Sequence, residues 1–66
     1  MSVLKVIELM ASSESSWEDA SKKAIQKASM TVNNIKSAWV KDQSVAVKDG
    51  NVSEFRVTLK VSFEIE

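Results

Sequence analysis

The end of the chain, residues 52–66, alternates apolar and polar side chains with almost no error. After Val52, the apolar positions are Phe55, Val57, Leu59, Val61, Phe63 and Ile65. A period of two is typical of a strand with one buried face. At about 3.3 Å per residue, the part from Phe55 to Ile65 spans over ~30 Å, whereas a compact chain of this length has a radius of gyration near ~11 Å. We therefore predict a strand that is long for its own domain and that needs cover from further copies of the chain.

Two other segments have strand character. Residues 3–10 are mostly apolar and β-branched, and residues 37–47 are rich in Val, Ala and Trp. Asp49-Gly50 separates the second segment from the final strand, and Asp-Gly between two strand-like segments is typical of a hairpin turn. We therefore predict that residues 37–47 pair antiparallel with the final strand.

A helix is predicted between the first and second strands. Ser15 and Glu18 have the spacing of a capping box, which begins many helices. The apolar positions that follow step by three or four residues along one helical face, at Trp17, Ala20, Ala24, Ala28, Val32 and Ile35. Asn33-Asn34 is the predicted helix exit. Trp17, in the first turn, is predicted to anchor the helix on the sheet. The order is therefore β-α-β-β, an α+β fold in one domain over residues 1–66.

Composition and charge exclude several kinds of function. The chain has no cysteine and no histidine, so thiolate or imidazole metal sites and catalysis by a histidine base are excluded. Metal ions with oxygen ligands remain open. Nine basic and nine acidic residues give no formal net charge, so the basic excess typical of nucleic-acid binding is absent. We expect neither an enzyme nor a nucleic-acid-binding protein.

Size and the N-terminal residues add two expectations. Domains below about 70 to 80 residues rarely gain enough stability from one core without disulfides, metals or oligomerisation. Because disulfides are excluded here, we expect self-association to supply the additional stability. The N-terminal residues lack both the basic region of a signal peptide and an apolar stretch of membrane-spanning length. We therefore expect a cytoplasmic protein without a membrane partner.

Taken together, these segments resemble the dodecin family over almost the whole chain. The order and spacing carry the resemblance, and no one segment is diagnostic. The matching segments are residues 3–9 (VLKVIEL), 12–20 (SSESSWEDA), 24–28 (AIQKA), 31–35 (TVNNI), 40–43 (VKDQ) and 54–63 (EFRVTLKVSF). The resemblance implies a three-stranded antiparallel sheet that partly wraps one amphipathic helix. It also implies a hollow homo-dodecamer that stores flavin, riboflavin or FMN, and has no catalytic activity.

The family's flavin contacts fall on different residue types in this chain. In dodecins, a tryptophan near the start of the second strand stacks on the flavin ring, and a glutamine in the third strand bonds to its polar edge. By the resemblance, these positions correspond to Ser37 and Arg56. Trp39 lies two residues beyond Ser37, on the same strand face and about 7 Å further along. Gln43 is a remaining amide candidate. The candidate ligand site is therefore Ser37, Trp39, Gln43 and Arg56.

Two hypotheses for the ligand follow from these substitutions. In the first, a flavin binds in a modified pose against Trp39, and Arg56 donates to a flavin carbonyl or holds a phosphate. In the second, the flavin site is lost and the assembly is structural or binds a divalent cation, because the sequence is similar to the dodecin subgroup for which calcium has been proposed. No segment has the spacing of a dedicated calcium loop, so carboxylates would have to meet between copies.

Trp39 and Arg56 could also have structural roles without binding a ligand. Tryptophan is enriched where subunits meet, so Trp39 is most simply explained as an interface or core residue. An arginine on the polar face of a strand commonly pairs with a glutamate. For Arg56, the candidate partners are Glu54 and a neighbour's Glu64.

Overall fold

A computed structural model describes residues 3–65 and contains the predicted order of elements. Strand β1 is Leu4–Ser13, helix α1 is Trp17–Ala28, strand β2 is Ile35–Lys48 and strand β3 is Asn51–Glu64. The strands form one antiparallel sheet in the order β1-β3-β2, with β3 in the centre. The predicted α+β class and β-α-β-β order are confirmed. The predicted strand position Glu66 lies outside the described residues.

The hairpin between β2 and β3 is confirmed. Lys48 pairs with Asn51 across a two-residue turn in which Asp49 has φ 52° and Gly50 has φ 79°. Positive φ at both central residues is the type I′ geometry, which suits the right-handed twist of the flanking strands. Aspartate tolerates the left-handed region and glycine enters it without a steric cost.

The predicted end of the helix is wrong. Helix α1 ends at Ala28, so Val32 and Ile35 do not belong to its apolar face. The chain turns through residues 29–32, where the Val32 N–H donates to the Ala28 carbonyl at 2.8 Å. Asn34 then takes φ 61°, and Ile35 pairs with Phe63 at the start of β2. A β-branched residue gains more from packing in the sheet than from another helical turn, so sheet pairing decides the boundary.

The predicted capping box is wrong by one residue. Ser16 is the N-cap, and its hydroxyl accepts a hydrogen bond from the Asp19 N–H at 3.0 Å. The Ser15 N–H donates instead to the Ser13 hydroxyl at 2.9 Å. The Glu18 carboxylate does not return to the cap, because it pairs with Lys22 at 3.3 Å. A cluster of serines offers several spacings that satisfy the pattern, and the packing of the chain selects one of them.

The hydrophobic core lies between α1 and the strands β1 and β3. It contains the alanine face of the helix and the centre of β3, namely Ala20, Ala24, Val57, Leu59 and Val61. Trp17 anchors the start of the helix as predicted, since its indole N–H donates to the Ser44 carbonyl at 2.9 Å. Its ring also meets Phe55 edge to face, with centroids 5.2 Å apart.

The subunit is elongated. Its principal extents are 51, 20 and 14 Å, and its radius of gyration is 13.5 Å, against about 11 Å for a compact chain of this length. The prediction that the sheet is long for its own domain is therefore confirmed. Among residues 3–65, no helix is long and apolar enough to span a bilayer.

Candidate functional site

The two faces of the sheet have different characters. Side chains of directly paired residues share a face, so the register assigns each residue to one side. We call the side that carries Val57, Leu59 and Val61 the inner face, because α1 packs on it. The opposite side is the outer face, and its positions on β3 include Arg56 and Lys60.

Ser37 lies on the outer face, where the resemblance places the flavin-stacking tryptophan. It pairs with Ser62, and the two hydroxyl oxygens are 2.6 Å apart. Ser62 is only 4% exposed. The position is therefore occupied by two small side chains that satisfy each other, and it offers no aromatic ring for stacking.

Trp39 occupies the next row of the outer face. It pairs with Lys60 on β3, two residues from the Ser37 row, as strand geometry predicts. Its side chain is 47% exposed in the single chain. The indole is thus a broad apolar surface that the subunit itself does not cover.

A β-bulge separates Gln43 from Trp39. The register shifts between Val40 and Asp42, so Lys41 is the extra residue on β2. Gln43 pairs with Val57 and therefore lies at the inner face, opposite to Trp39. Strict alternation would have placed both side chains on one face, and nothing in the sequence marks the bulge. Within one chain, Gln43 and Trp39 do not line the same surface.

Arg56 lies on the outer face, four residues along β3 from the row that contains Trp39. At about 3.3 Å per residue the two rows are ~13 Å apart. The predicted ion pair forms within the chain, with the Arg56 Nε 3.6 Å from a Glu54 carboxylate oxygen. A ligand that touches both Trp39 and Arg56 of one chain must therefore be long.

An ion pair that the sequence did not predict crosses the outer face beside Trp39. Lys41, the bulge residue of β2, reaches over β3 and donates to the Glu8 carboxylate of β1 at 2.9 Å. The hydrogen bond from Lys41, with its charge, holds the pKa of Glu8 below its ordinary value, and the pKa of Lys41 is raised in return. The sequence alone could not connect Lys41 with Glu8, because their contact depends on the strand order β1-β3-β2.

The carboxylates of residues 3–65 do not form a metal site within one chain. In the part of the chain that the structure describes, no three Asp or Glu side chains lie together in a way that could hold a metal ion. If a divalent cation is bound, more than one copy of the chain would have to supply its oxygen ligands and the compensating negative charge.

The inner face of β2 is largely apolar, with Gln43 as a polar position between Val40 and Val45, and α1 leaves it uncovered. Helix α1 packs on β1 and β3, and beyond it the side chains of Ala38, Val40 and Val45 are exposed. Val40 is 44% and Val45 is 38% exposed, although they pair with the core strand. We call these three residues the β2 inner strip.

Known proteins with the same pattern are found by sequence and by structure. The family model named Dodecin matches residues 3–66. A Mycobacterium tuberculosis protein called calcium dodecin is 40% identical over 65 residues, which cover 98% of this chain and 92% of that protein. Its crystal structure, described as calcium chelating with a novel calcium-binding site, superposes with a TM-score of 0.85 at 38% identity, over 97% of this chain and 91% of that one.

Two other solved structures are similar over nearly their full length. A dodecin from Streptomyces davaonensis has a TM-score of 0.94 at 25% identity, covering 98% of this chain and 96% of its own. A Thermus thermophilus protein has a TM-score of 0.93 at 30% identity, covering 100% of this chain and 97% of its own.

Proposed function

The chain belongs to the dodecin family, and we propose that it is a non-enzymatic binding protein that works as a homo-oligomer, a homo-dodecamer as the family resemblance implies. The observation that carries this proposal is the β2 inner strip, because an apolar sheet face beside the core needs a partner surface. A second copy of the chain supplies that surface. Helix α1 is too narrow to cover three strands.

The weakness of the single core supports the same proposal. Among the described residues, the buried apolar side chains are three alanines together with Val57, Leu59 and Val61. Alanine buries little apolar area, and burial stabilises by only about 25 cal/mol per Å². A domain of this size rarely holds its fold on such a core alone. Covering the β2 inner strip in an oligomer adds the missing apolar contacts.

Sedimentation velocity tests the assembly. We expect a mass many times that of the 7.3 kDa chain, and a dodecamer in particular. A monomer at micromolar concentration contradicts the proposal. A smaller closed oligomer contradicts the number twelve and leaves self-association intact.

For the ligand, we propose a divalent cation, with calcium as the first candidate. The M. tuberculosis relative is named for calcium, and the hydroxyl pair of Ser37 and Ser62 replaces the stacking ring that a flavin needs. Because no three Asp or Glu side chains lie together within residues 3–65 of one chain, the proposed site lies between copies. A carboxylate near a symmetry axis is repeated by each copy, and such a ring supplies the charge that calcium requires.

Calorimetric titration of the chelator-treated oligomer with calcium tests this proposal. We expect saturable binding with fewer than one ion per chain, since the site is shared, and weaker binding of magnesium because it requires stricter octahedral geometry. A thermal midpoint that rises with calcium would follow by linkage. The absence of any saturable heat, with the oligomer intact, contradicts the cation proposal.

A second candidate ligand is a flavin, and the exposed indole of Trp39 favours it. An aromatic surface that is 47% exposed can stack on a flavin ring. Titration of riboflavin and FMN, followed by quenching of flavin emission, tests this candidate. Saturable quenching that is lost in Trp39→Leu supports flavin binding at Trp39. Quenching that is absent, or unchanged in the variant, rejects it.

A further inference from the structure

The hairpin between β2 and β3 extends beyond the part of the sheet that β1 supports. Strand β1 ends at Ser13, which pairs with Phe55, so within residues 3–65 the segment 51–54 pairs with β2 alone. A register shift beside Val47 interrupts that pairing. Val47 and its partner Val52 are 65% and 52% exposed. The end of the hairpin is thus a two-stranded ribbon with few supporting contacts, and we expect it to open locally at a small cost in free energy.

The turn at this end joins an aspartate to the single glycine of the chain. Asp49 and Gly50 are both exposed, and a Cβ atom at Gly50 would have no neighbour within 4 Å. The hydrogen bond that closes a type I′ turn joins its two outer residues, here Lys48 and Asn51, so it does not use the Gly50 N–H. The Gly50 nitrogen is therefore an unhindered neighbour of the Asp49 carboxyl group.

We propose that Asp49-Gly50 is a site of spontaneous isoaspartate formation, which the hairpin slows and does not prevent. The Gly50 amide nitrogen attacks Cγ of the protonated Asp49 carboxyl group. A C–N bond forms, and the carboxyl O–H group leaves with the amide proton as water. Water then adds to one carbonyl carbon of the cyclic succinimide and breaks its bond to the nitrogen. Opening at the backbone carbonyl leaves the chain linked through the Asp49 side chain, which is the isoaspartyl product. The reaction consumes no metal ion or flavin, so it does not depend on the proposed ligands.

The turn restrains this reaction while it is closed. Asp49 has φ 52°, in the left-handed region. A succinimide ring fixes ψ of its aspartate outside that region, so the turn has to open before the ring can close. Asn51 braces the closed turn, because its side-chain amide donates to the Asp49 carbonyl at 3.3 Å. The rate of conversion in the protein is therefore the rate in a free peptide multiplied by the fraction of open turns.

The product changes the end of the hairpin. An isoaspartyl link adds a methylene group to the main chain, and the geometry of a two-residue turn does not accommodate the longer connection. The pairing of Lys48 with Asn51 is then lost, and the pairing of Val47 with Val52 is next to it. The modification thus separates the two strands at their least supported end, and an older chain differs there from a newly made one.

The experiment follows isoaspartate in the protein as purified and in a free peptide of residues 45–53, incubated together at neutral pH and physiological temperature. Chymotrypsin releases residues 40–55, which contain both Asp42 and Asp49. Chromatography with electron-transfer fragmentation assigns isoaspartate to one or the other. We expect conversion at Asp49 to be about 10-fold slower than in the peptide, as an opening free energy of about 1.4 kcal/mol gives. Asp42 lies within the strand ladder and is followed by a residue with a side chain, so it should stay unconverted.

Three variants connect the reaction to the turn. Asp49→Asn keeps a preferred type I′ pair, and it forms the same ring with loss of ammonia, so its conversion is visible as a change in the mass of the intact protein. Asp42→Asn is the matched control, and it should change no more than the unaltered protein. Asn51→Ala removes the hydrogen bond to the Asp49 carbonyl. It should speed conversion in the protein about 2-fold and leave the rate in the corresponding peptide unchanged.

The proposal is overturned if Asp49 stays unconverted when the free peptide has converted, or if Asp42 and Asp49 convert equally. Conversion as fast as in the peptide would overturn the restraint by the hairpin, as would an unchanged rate in Asn51→Ala. Sedimentation before and after incubation shows which oligomer was followed, so a failure of the proposed assembly is distinguished from a failure of this reaction.

Discussion

Two strips of the same sheet face differ only in what covers them. Under α1, Val57, Leu59 and Val61 of β3 are 1%, 2% and 0% exposed. One strand away, Val40 and Val45 of β2 are 44% and 38% exposed, although Val40 pairs directly with Leu59. A helix is about 10 Å across and strands are ~4.8 Å apart, so one helix covers two strands. The third strand of this β-α-β-β unit is therefore left open on its largely apolar face, and the proposed oligomer would cover it with another chain.

The largest expected effect comes from truncation under the helix. Leu59→Ala removes a side chain that is 2% exposed, and such a cavity costs about 2–5 kcal/mol. Val45→Ala on the β2 inner strip is the paired variant, and it should cost the isolated subunit well under half as much. Urea unfolding of both variants measures the two losses. Because the total stability of small domains is about 5–15 kcal/mol, this loss is a large fraction of it, and we expect a clearly lower urea midpoint for Leu59→Ala.

The two variants could also lose the same free energy of unfolding while the oligomer is intact. This result would show that the β2 inner strip is as well packed in the assembly as the core is under α1. Equal losses in a dissociated subunit would contradict the comparison, because nothing in the single chain covers Val45.

The next effect is on assembly alone. Val40→Asp puts a charge on the β2 inner strip, where burial against a second copy would cost several kcal/mol. In the free subunit the position is exposed, so the substitution removes no contact from the single core. We expect the oligomer to dissociate, observed as a fall in sedimentation coefficient, and the released subunits to unfold at a lower urea concentration than the assembled protein, because a single core of this size is weak. Gln26→Asp, on the exposed side of α1, is the control and should remain assembled.

An intact oligomer in Val40→Asp would show that the β2 inner strip still faces water in the assembly. The apolar cover would then have to be sought at other exposed side chains, such as those of Leu4 and Val6 on β1.

Local patterns predicted most of the fold, because each element carries its own period or turn chemistry. The alternation of β3, the Asp49-Gly50 turn and the alanine face of α1 are all confirmed. The errors arose where two local patterns compete. The apolar period continues through Val32 and Ile35, and only sheet pairing with Phe63 shows that the helix has already ended.

The candidate site was less predictable, because it depends on register. Alternation cannot show that Lys41 is a bulge residue, and that one extra residue moves Gln43 to the inner face. No sequence pattern predicted the contacts between side chains on different strands. Glu8 meets Lys41 only because β3 lies between β1 and β2 and pairs with both. The roles of Ser37, Trp39, Gln43 and Arg56 in ligand binding stay predictions.

A smaller effect concerns the N-terminal cap of α1, the helix that covers the core. Ser16→Ala removes the N-cap hydroxyl that accepts from the Asp19 N–H at 3.0 Å, and such a loss typically costs about 1 kcal/mol. Ser15→Ala is the matched control, because Ser15 engages through its backbone N–H and not through its side chain. Urea unfolding should separate the two variants. A larger loss in Ser15→Ala would restore the capping box of Ser15 and Glu18.

The smallest effect concerns the ion pair between Lys41 on β2 and Glu8 on β1. Lys41 on the uncovered strand β2 pairs with Glu8 on the outer face of β1, and the hydrogen bond from Lys41, with its charge, lowers the pKa of Glu8 from its ordinary 4.5. A lowered carboxyl pKa contributes stability that is present above the ordinary value and is lost as the pH falls through the folded value. The raised pKa of Lys41 contributes stability that is present at neutral pH and is lost only above 10.5.

Glu8→Gln isolates this contribution, because the other lowered carboxyl, Asp19, stays in both proteins. We expect the variant to be slightly less stable than the unaltered protein at about pH 7, and the difference to shrink at acid pH, as the pH falls through the lowered pKa of Glu8. Urea unfolding at the two pH values measures it, and added salt should shrink the difference at neutral pH because both side chains are half exposed. A difference that persists at acid pH would mean that Glu8 acts through packing of its stem across β3, and the two regions would then be joined by contact instead of charge.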